Sequence, residues 1–234
     1  LVRLLNAAPR GCRLVFGGDL IDRGPHSRQV VEFAMENAIP TCCGNHEDFG
    51  LAFYGHPGAH CAREYDLSYW VSHNGGGETV RNWPLSDANP PRPRWKRLAD
   101  ERNGGRVPDH VLDWMAALPA YLTPSEELDE NGRRLLVSHN GHGLSADMGN
   151  WYRALWDRDV DFPDDGAFRV FGHTPVKHVV VTETYAAVDT GAAYADRGGG
   201  TLSALLWPSK VILTQRYDES PVTPTFKVVN GCIV

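Results

Sequence analysis

Leu14-Val15-Phe16-Gly17-Gly18-Asp19-Leu20-Ile21-Asp22-Arg23-Gly24-Pro25 is an apolar run that ends in two glycines, then presents two carboxylates three residues apart with an arginine directly after. The pattern predicts a buried strand that stops and delivers charge at its carboxyl end, where open α/β sheets keep their sites. Glycines there let the backbone turn tightly and let a ligand approach closely. Asp19 and Asp22 are hard oxygen donors, and Arg23 offers a planar fork of N–H donors suited to a phosphate. Metal and phosphate chemistry is one reading of the stretch. A strand-to-helix turn with an aspartate N-cap and a surface salt bridge is the other.

Working outward, the same arrangement recurs. Leu1 to Asn6 is apolar at helical spacing and reads as the end of a helix. His26 to Asn37 carries Val30, Val31, Phe33 and Ala34 on one helical face, and Ile39 to Cys43 is a second strand ending at Gly44-Asn45-His46-Glu47. Strand, helix, strand is a βαβ unit that brings Asp19 and Asn45 to one sheet edge. Leu135-Leu136-Val137 ends at Ser138-His139-Asn140-Gly141, and Phe168 to Phe171 ends at Gly172-His173-Thr174-Pro175. Further strands are expected at Val179 to Val181, Ala186 to Val188, Leu202 to Trp207 and Val211 to Arg216, with helices near Ala62 to Val71, Glu78 to Trp83 and Val111 to Leu118. The fold class is α/β, in one domain of 234 residues with a long Gly-, Pro- and Trp-rich insertion at about 51–118. A segment that long and irregular inside a compact domain is usually functional.

The formal net charge of −6, with no basic tail or stripe, excludes a protein devoted to non-specific nucleic-acid binding. Cys12, Cys42, Cys43, Cys61 and Cys232 are odd in number and lack zinc-type C-x-x-C spacing, so they read as reduced thiols of a cytoplasmic protein. No apolar run approaches the roughly 18 residues of a membrane span.

Asp19, Asn45, His139 and His173, each just after an apolar strand, form a mixed oxygen and nitrogen ligand set for a divalent metal of the manganese, iron or zinc kind. His142 is an alternative ligand, although its register relative to the strand favours His139. The remaining histidines, His26, His56, His60, His73, His110 and His178, sit in loops, helix starts or polar turns and read as surface or capping residues. The aromatic residues between Tyr54 and Trp114 either line a substrate groove or pack under the insertion.

From Leu1 to about Tyr217 the sequence resembles the calcineurin-like metallophosphoesterases, and within them the bacterial members of the phosphoprotein phosphatase family. Gly18-Asp19-Leu20-Ile21-Asp22-Arg23-Gly24 and Gly44-Asn45-His46-Glu47 match two family signatures in full. His139 with Gly141, Gly172-His173-Thr174-Pro175 and Ala187-Val188-Asp189-Thr190-Gly191-Ala192 are weaker matches, and Asn140 stands where the family usually has a small residue.

The resemblance implies a β-sandwich flanked by helices with the metal site at the carboxyl ends of strands. It implies that Asp19 bridges two metals, that Asn45, His139 and His173 complete the second, and that Asp22 orients His46 to protonate the leaving oxygen. Arg23 and a later arginine would bind the phosphoryl group. Arg158 is chosen because Leu155-Trp156-Asp157-Arg158 resembles a family tetrad, with Arg153 as the alternative. The implied cofactor is Mn²⁺, with iron or zinc as alternatives. The implied activity is hydrolysis of phosphoserine, phosphothreonine or phosphotyrosine in a phosphoprotein or phosphopeptide by direct attack of a metal-activated hydroxide. Two alternatives are a dinucleoside polyphosphate hydrolase and a non-catalytic protein that binds phosphate through one metal. The family's Asp-x-His, expected before the first helix, is not matched here, so the expectation is an amino-terminal strand missing from this sequence and a weakly held first metal.

Overall fold

Helix and strand periodicities divide the chain much as expected, while capping groups move the ends. The computed structural model describes residues 1–84, 105–162, 164–197, 200–216, 218 and 220–234, with backbone only at 195–197. Its helices are α1 Val2–Ala7, α2 Ser27–Glu36, α3 Asn45–Phe53, α4 Leu67–His73, α5 Gly76–Asn82, α6 Asp109–Ala116 and α7 Trp151–Trp156. Its strands are β1 Tyr121–Leu122, β2 Arg134–Ser138, β3 Ala167–Phe171, β4 Val180–Val181, β5 Tyr185–Ala187, β6 Thr201–Leu206, β7 Val211–Arg216, β8 Val228–Val229 and β9 Cys232–Ile233.

The central sheet is mixed, in the order β1-β2-β3-β5-β4. β2, β3 and β5 run parallel, with β1 and β4 as antiparallel edges. β2 and β3 bury residues on both faces, as parallel strands do. Because they are parallel, His139 after β2 and His173 after β3 emerge at the same end. β6 and β7 form a hairpin, and the β8–β9 hairpin lies against the amino-terminal segment through the bridge Arg13↔Cys232.

Two expected strands are reduced. Arg13 to Phe16 and Ile39 to Cys43 meet only at the parallel bridge Phe16↔Thr41, made by Phe16 N donating to the Pro40 carbonyl and Cys42 N to the Phe16 carbonyl, both at 2.9 Å. Pro40 has no N–H to extend the ladder, and Cys43 N turns to the Pro119 carbonyl instead. That bridge still sets the ends beyond Phe16 and Cys43 side by side.

The helix expected at Ala62 to Val71 begins later, at Leu67, because the Asp66 carboxylate caps it by accepting from Ser68 N at 3.0 Å. α3 and α7 were not expected. Glu47 closes the start of α3 by accepting from Gly44 N, and Asn150 caps α7 by accepting from Arg153 N. Residues 85–104 of the insertion lie outside the described residues.

Among the described residues, the largest cluster of buried apolar side chains joins the motif loop to the insertion and includes Ile21, Phe49, Trp70, Val80, Val111 and Met115. Among the described residues no helix is long and apolar enough to cross a membrane.

Gly18 has φ +86°, and a Cβ there would lie 2.7 Å from Gly44 N, a backbone atom that cannot swing away. Gly11 has nearly the same φ, +84°, with nothing within 4 Å. Gly11→Ala should therefore cost only the backbone strain, about 1 kcal/mol, and Gly18→Ala about 3 kcal/mol or more, in urea unfolding. Equal costs would show that close approach is not what requires a glycine at 18.

Candidate active site

Asp19 leaves the turn after Gly18, Asn45 opens α3, and His139 and His173 follow β2 and β3. The structure brings all four together. His139 Nε2 is 2.8 Å from Asn45 Oδ1 and 3.0 Å from His173 Nδ1, His173 Nδ1 is 3.0 Å from Asn45 Oδ1, and Asp19 Oδ1 is 3.6 Å from His139 Nε2. Asn45 and His139 are buried.

Each histidine spends its other nitrogen on a carbonyl, His139 Nδ1 on Gly17 O at 3.2 Å and His173 Nε2 on Trp156 O at 3.3 Å. A carbonyl only accepts, so the proton sits on that nitrogen and the inward nitrogen carries a lone pair. Two such lone pairs, an amide oxygen and a carboxylate oxygen then face one another with no proton to share. A cation satisfies that arrangement, and the ligand types suit manganese, iron or zinc. Burial, then the neighbouring charge of His139, pushes the His173 pKa down to about 3, so it stays neutral as a ligand must.

Beside this cage stands His46. Its Nδ1 is hydrogen-bonded to Asp22 Oδ2, and its Nε2 lies 3.9 Å from Asp19 Oδ2. Burial opposes a charge on His46, but Asp19 and the hydrogen bond and charge of Asp22 together raise its pKa above the usual value. Arg23 Nη2 donates to Asn74 Oδ1 at 2.9 Å, and its guanidinium carbon lies 5.3 Å from the centroid of the Tyr194 ring.

Arg158 is exposed and makes no ion pair among the described residues, yet its charge reaches His173. Arg153 is held by Asp157, Nε to Oδ2 at 3.1 Å. The His142 ring turns to the Asp159 carbonyl at 3.2 Å, away from the cage.

The backbone is held in the left-handed region at Asp19 (φ 56°), Asp22 (φ 77°), Arg23 (φ 63°) and His173 (φ 67°), each at a cost of about 1–3 kcal/mol. Glu47, to which the sequence reading gave no role, holds the first of them: its carboxylate accepts from Asp19 N at 2.8 Å, Leu20 N at 2.7 Å and Gly44 N at 2.9 Å. The glutamate three residues after a helix N-cap was the available signal. Trp70, Asn74 and Thr79 were also missed: Trp70 and Thr79 lie in expected helices of the insertion and Asn74 between them, with no local pattern that points to the site. Asp189 is a further group near the cage, where burial and then the Asp19 charge raise its pKa.

A model of the calcineurin-like phosphoesterase family matches residues 1–197. The chain belongs to that family, whose members are metal-dependent. Among curated relatives, the asymmetrical bis(5'-nucleosyl)-tetraphosphatase PrpE of Bacillus thuringiensis (strain Al Hakam) is 28% identical over 207 residues, covering 84% of this chain and 76% of that protein. The protein of the same name from Anoxybacillus flavithermus (strain DSM 21510 / WK1) is 27% identical over 223 residues, covering 86% and 77%. A solved structure provisionally described as a diadenosine tetraphosphatase is 16% identical, covers 89% of this chain and 82% of that one, and superposes with a TM-score of 0.47.

Two outcomes are expected of this geometry. Mn²⁺ at a hundred times its dissociation constant should stabilise the protein by about 2.7 kcal/mol, reversibly with a chelator, and His139→Ala should abolish the effect. The second concerns Glu47, whose pKa is raised from 4.5 to about 7, first by burial and then by the Asp19 charge. The folded chain then holds a proton that the unfolded chain releases, so stability in chelator should fall as pH rises from about 4.5 to 7. Urea midpoints across that window should slope downward, and Glu47→Gln should flatten them. An unchanged slope in the variant would assign the effect to other groups.

Proposed function

We propose that this chain hydrolyses dinucleoside tetraphosphates to unequal products, with a divalent metal held by Asp19, Asn45, His139 and His173. The observation that carries a hydrolytic reading is the convergence of four acceptors beside a histidine paired to a buried carboxylate. The curated relatives, named for asymmetrical cleavage of bis(5'-nucleosyl) tetraphosphates, support this substrate class ahead of a phosphoprotein.

Mn²⁺ is the first ion to supply, since a metal there withdraws charge from a phosphoryl oxygen and lowers the pKa of a water. The chain's own residues do the rest. Arg23 and Arg158 bind the non-bridging oxygens and hold the phosphorus for in-line displacement. The water oxygen gives up a proton to solvent and forms its bond to phosphorus as the bridging P–O bond breaks. The leaving oxygen takes the proton from Nε2 of the His46 imidazolium, and the ring recovers a proton from solvent before the next turnover. Asp22, on Nδ1, keeps that ring in place and favours its charged form. Simple phosphate binding needs no such donor, which argues against a non-catalytic role.

Product analysis should give a nucleoside triphosphate and a monophosphate from a dinucleoside tetraphosphate, with kcat/KM above that for a phosphoserine peptide. Faster release of phosphate from the peptide would replace this substrate class with phosphoproteins. His46→Asn should lower turnover of phenyl phosphate by about 10²–10⁴-fold and that of 4-nitrophenyl phosphate far less, because a good leaving group scarcely needs a proton. Equal losses on the two esters would remove His46 from the role of acid.

A further inference from the structure

Asp22 and Arg23 are gripped by α4, α5 and the turn between them, a part of the chain outside every signature quoted above. Trp70 of α4, fully buried, donates Nε1–H to Asp22 Oδ2 at 2.7 Å. Thr79 of α5 donates its hydroxyl to Asp22 Oδ1 at 2.6 Å, and Thr79 Oγ1 accepts from Asp22 N at 2.8 Å. With His46 on Oδ2 as well, the carboxylate has donors on both oxygens and cannot rotate about its own axis without losing one.

The turn grips the next residue: Arg23 Nη2 donates to Asn74 Oδ1 at 2.9 Å, and Arg23 N to the Gly75 carbonyl at 3.3 Å. The contact is close enough to exclude side chains. A Cβ at Gly75 would lie 2.6 Å from Arg23 N, and one at Gly76 would lie 2.3 Å from the Trp70 ring.

We infer that the α4–α5 hairpin is the positioning element of the site, with Trp70 and Thr79 setting the Asp22–His46 pair and Asn74 setting the Arg23 guanidinium. This rests on the roles proposed above for His46 and Arg23. The two arms have separable consequences. A carboxylate that loses a donor swings, and the His46 ring swings with it, so proton delivery suffers while phosphate binding does not. A guanidinium that loses Asn74 spends longer in unproductive rotamers, so binding suffers for every substrate alike.

Four variants of the full chain, assayed with Mn²⁺ on phenyl phosphate and 4-nitrophenyl phosphate beside His46→Asn, test this. Trp70→Phe keeps an aromatic ring and removes the N–H on Asp22, while Thr79→Val keeps volume and removes the hydroxyl that donates to the Asp22 carboxylate and accepts from Asp22 N. A hydrogen bond to a charged group is worth enough that each should lower kcat on phenyl phosphate by about tenfold, and on 4-nitrophenyl phosphate by less than about twofold. Thr79→Ser keeps the hydroxyl and should restore the phenyl phosphate rate. Asn74→Ala should raise KM for both esters by a common factor with kcat preserved.

Should His46→Asn distinguish the two esters while Trp70→Phe and Thr79→Val depress both equally, the hairpin is merely structural and the inference fails with the reading of His46 intact. A His46→Asn variant that does not distinguish the esters overturns the acid itself and the inference with it. If Thr79→Val does not fold, Trp70→Phe and the Thr79→Ser comparison decide.

Discussion

The Glu47 carboxylate, fully buried, accepts three backbone N–H groups from two segments that the sequence separates by more than twenty residues. Burying a carboxylate costs several kcal/mol unless its lone pairs are used. Here they are used on Asp19, Leu20 and Gly44, at the positive end of α3, so the same bonds that compensate the burial also tie the glycine turn to the helix start. Asp19 in a left-handed conformation costs free energy, and this tie offsets the cost by over-determining it. Asn45 and His46 inherit their placement from the same helix start, and the Asp19 carboxylate closes the loop by accepting from His46 N at 3.2 Å. The cluster of four acceptors and the Asp22–His46 pair are therefore two products of one hydrogen-bonded junction.

Around that junction, different parts of the fold supply opposite kinds of groups. The parallel strand ends supply acceptors, His139 and His173, and the carbonyls of Gly17 and Trp156 fix which nitrogen each offers. The insertion supplies donors, Trp70 and Thr79, to a carboxylate that needs them. The largest apolar cluster runs between the two, from Ile21 in the motif loop to Trp70 and Val80 in the insertion, so packing fixes the donors' distance from the acceptors. The same Trp70 ring serves both ends of this arrangement, as core volume and as an N–H on Asp22.

How much of this was legible in the sequence follows from where the physical signal lies. An apolar run that ends at a small residue and is followed by Asp, Asn or His is a local pattern, and it pointed to Asp19, Asn45, His139 and His173, which parallel strand ends bring together. The same pattern overstated the ladder between Phe16 and Thr41, where a proline and a glycine pair leave only one bridge. α3 was hidden because its first turn, Asn45-His46-Glu47-Asp48, is polar and wholly buried, against the usual amphipathic expectation. Trp70 and Thr79 stand 48 and 57 residues from Asp22, and no periodicity reports a hydrogen bond across such a distance. Asn74 and Gly75, between α4 and α5, form a tight turn because Gly75 has to lie against Arg23.

His46 and His173 share the Asp19 carboxylate as a neighbour and are pushed in opposite directions. Burial alone would keep both neutral. His173 is buried beside a second histidine, His139, and neither Asp19 nor the carbonyl on its outer nitrogen offsets that, so its pKa falls to about 3. His46 gives the corresponding nitrogen to the Asp22 carboxylate, and with Asp19 on its other side its pKa rises despite burial. A ligand would have to offer a lone pair and an acid to hold a proton, and the partner one atom beyond the ring, a carbonyl for His173 and a carboxylate for His46, suits those proposed roles. Since the Asp22 carboxylate is itself held by Trp70 and Thr79, the roles proposed for two chemically identical side chains reach back to helices that contribute none of the four clustered acceptors.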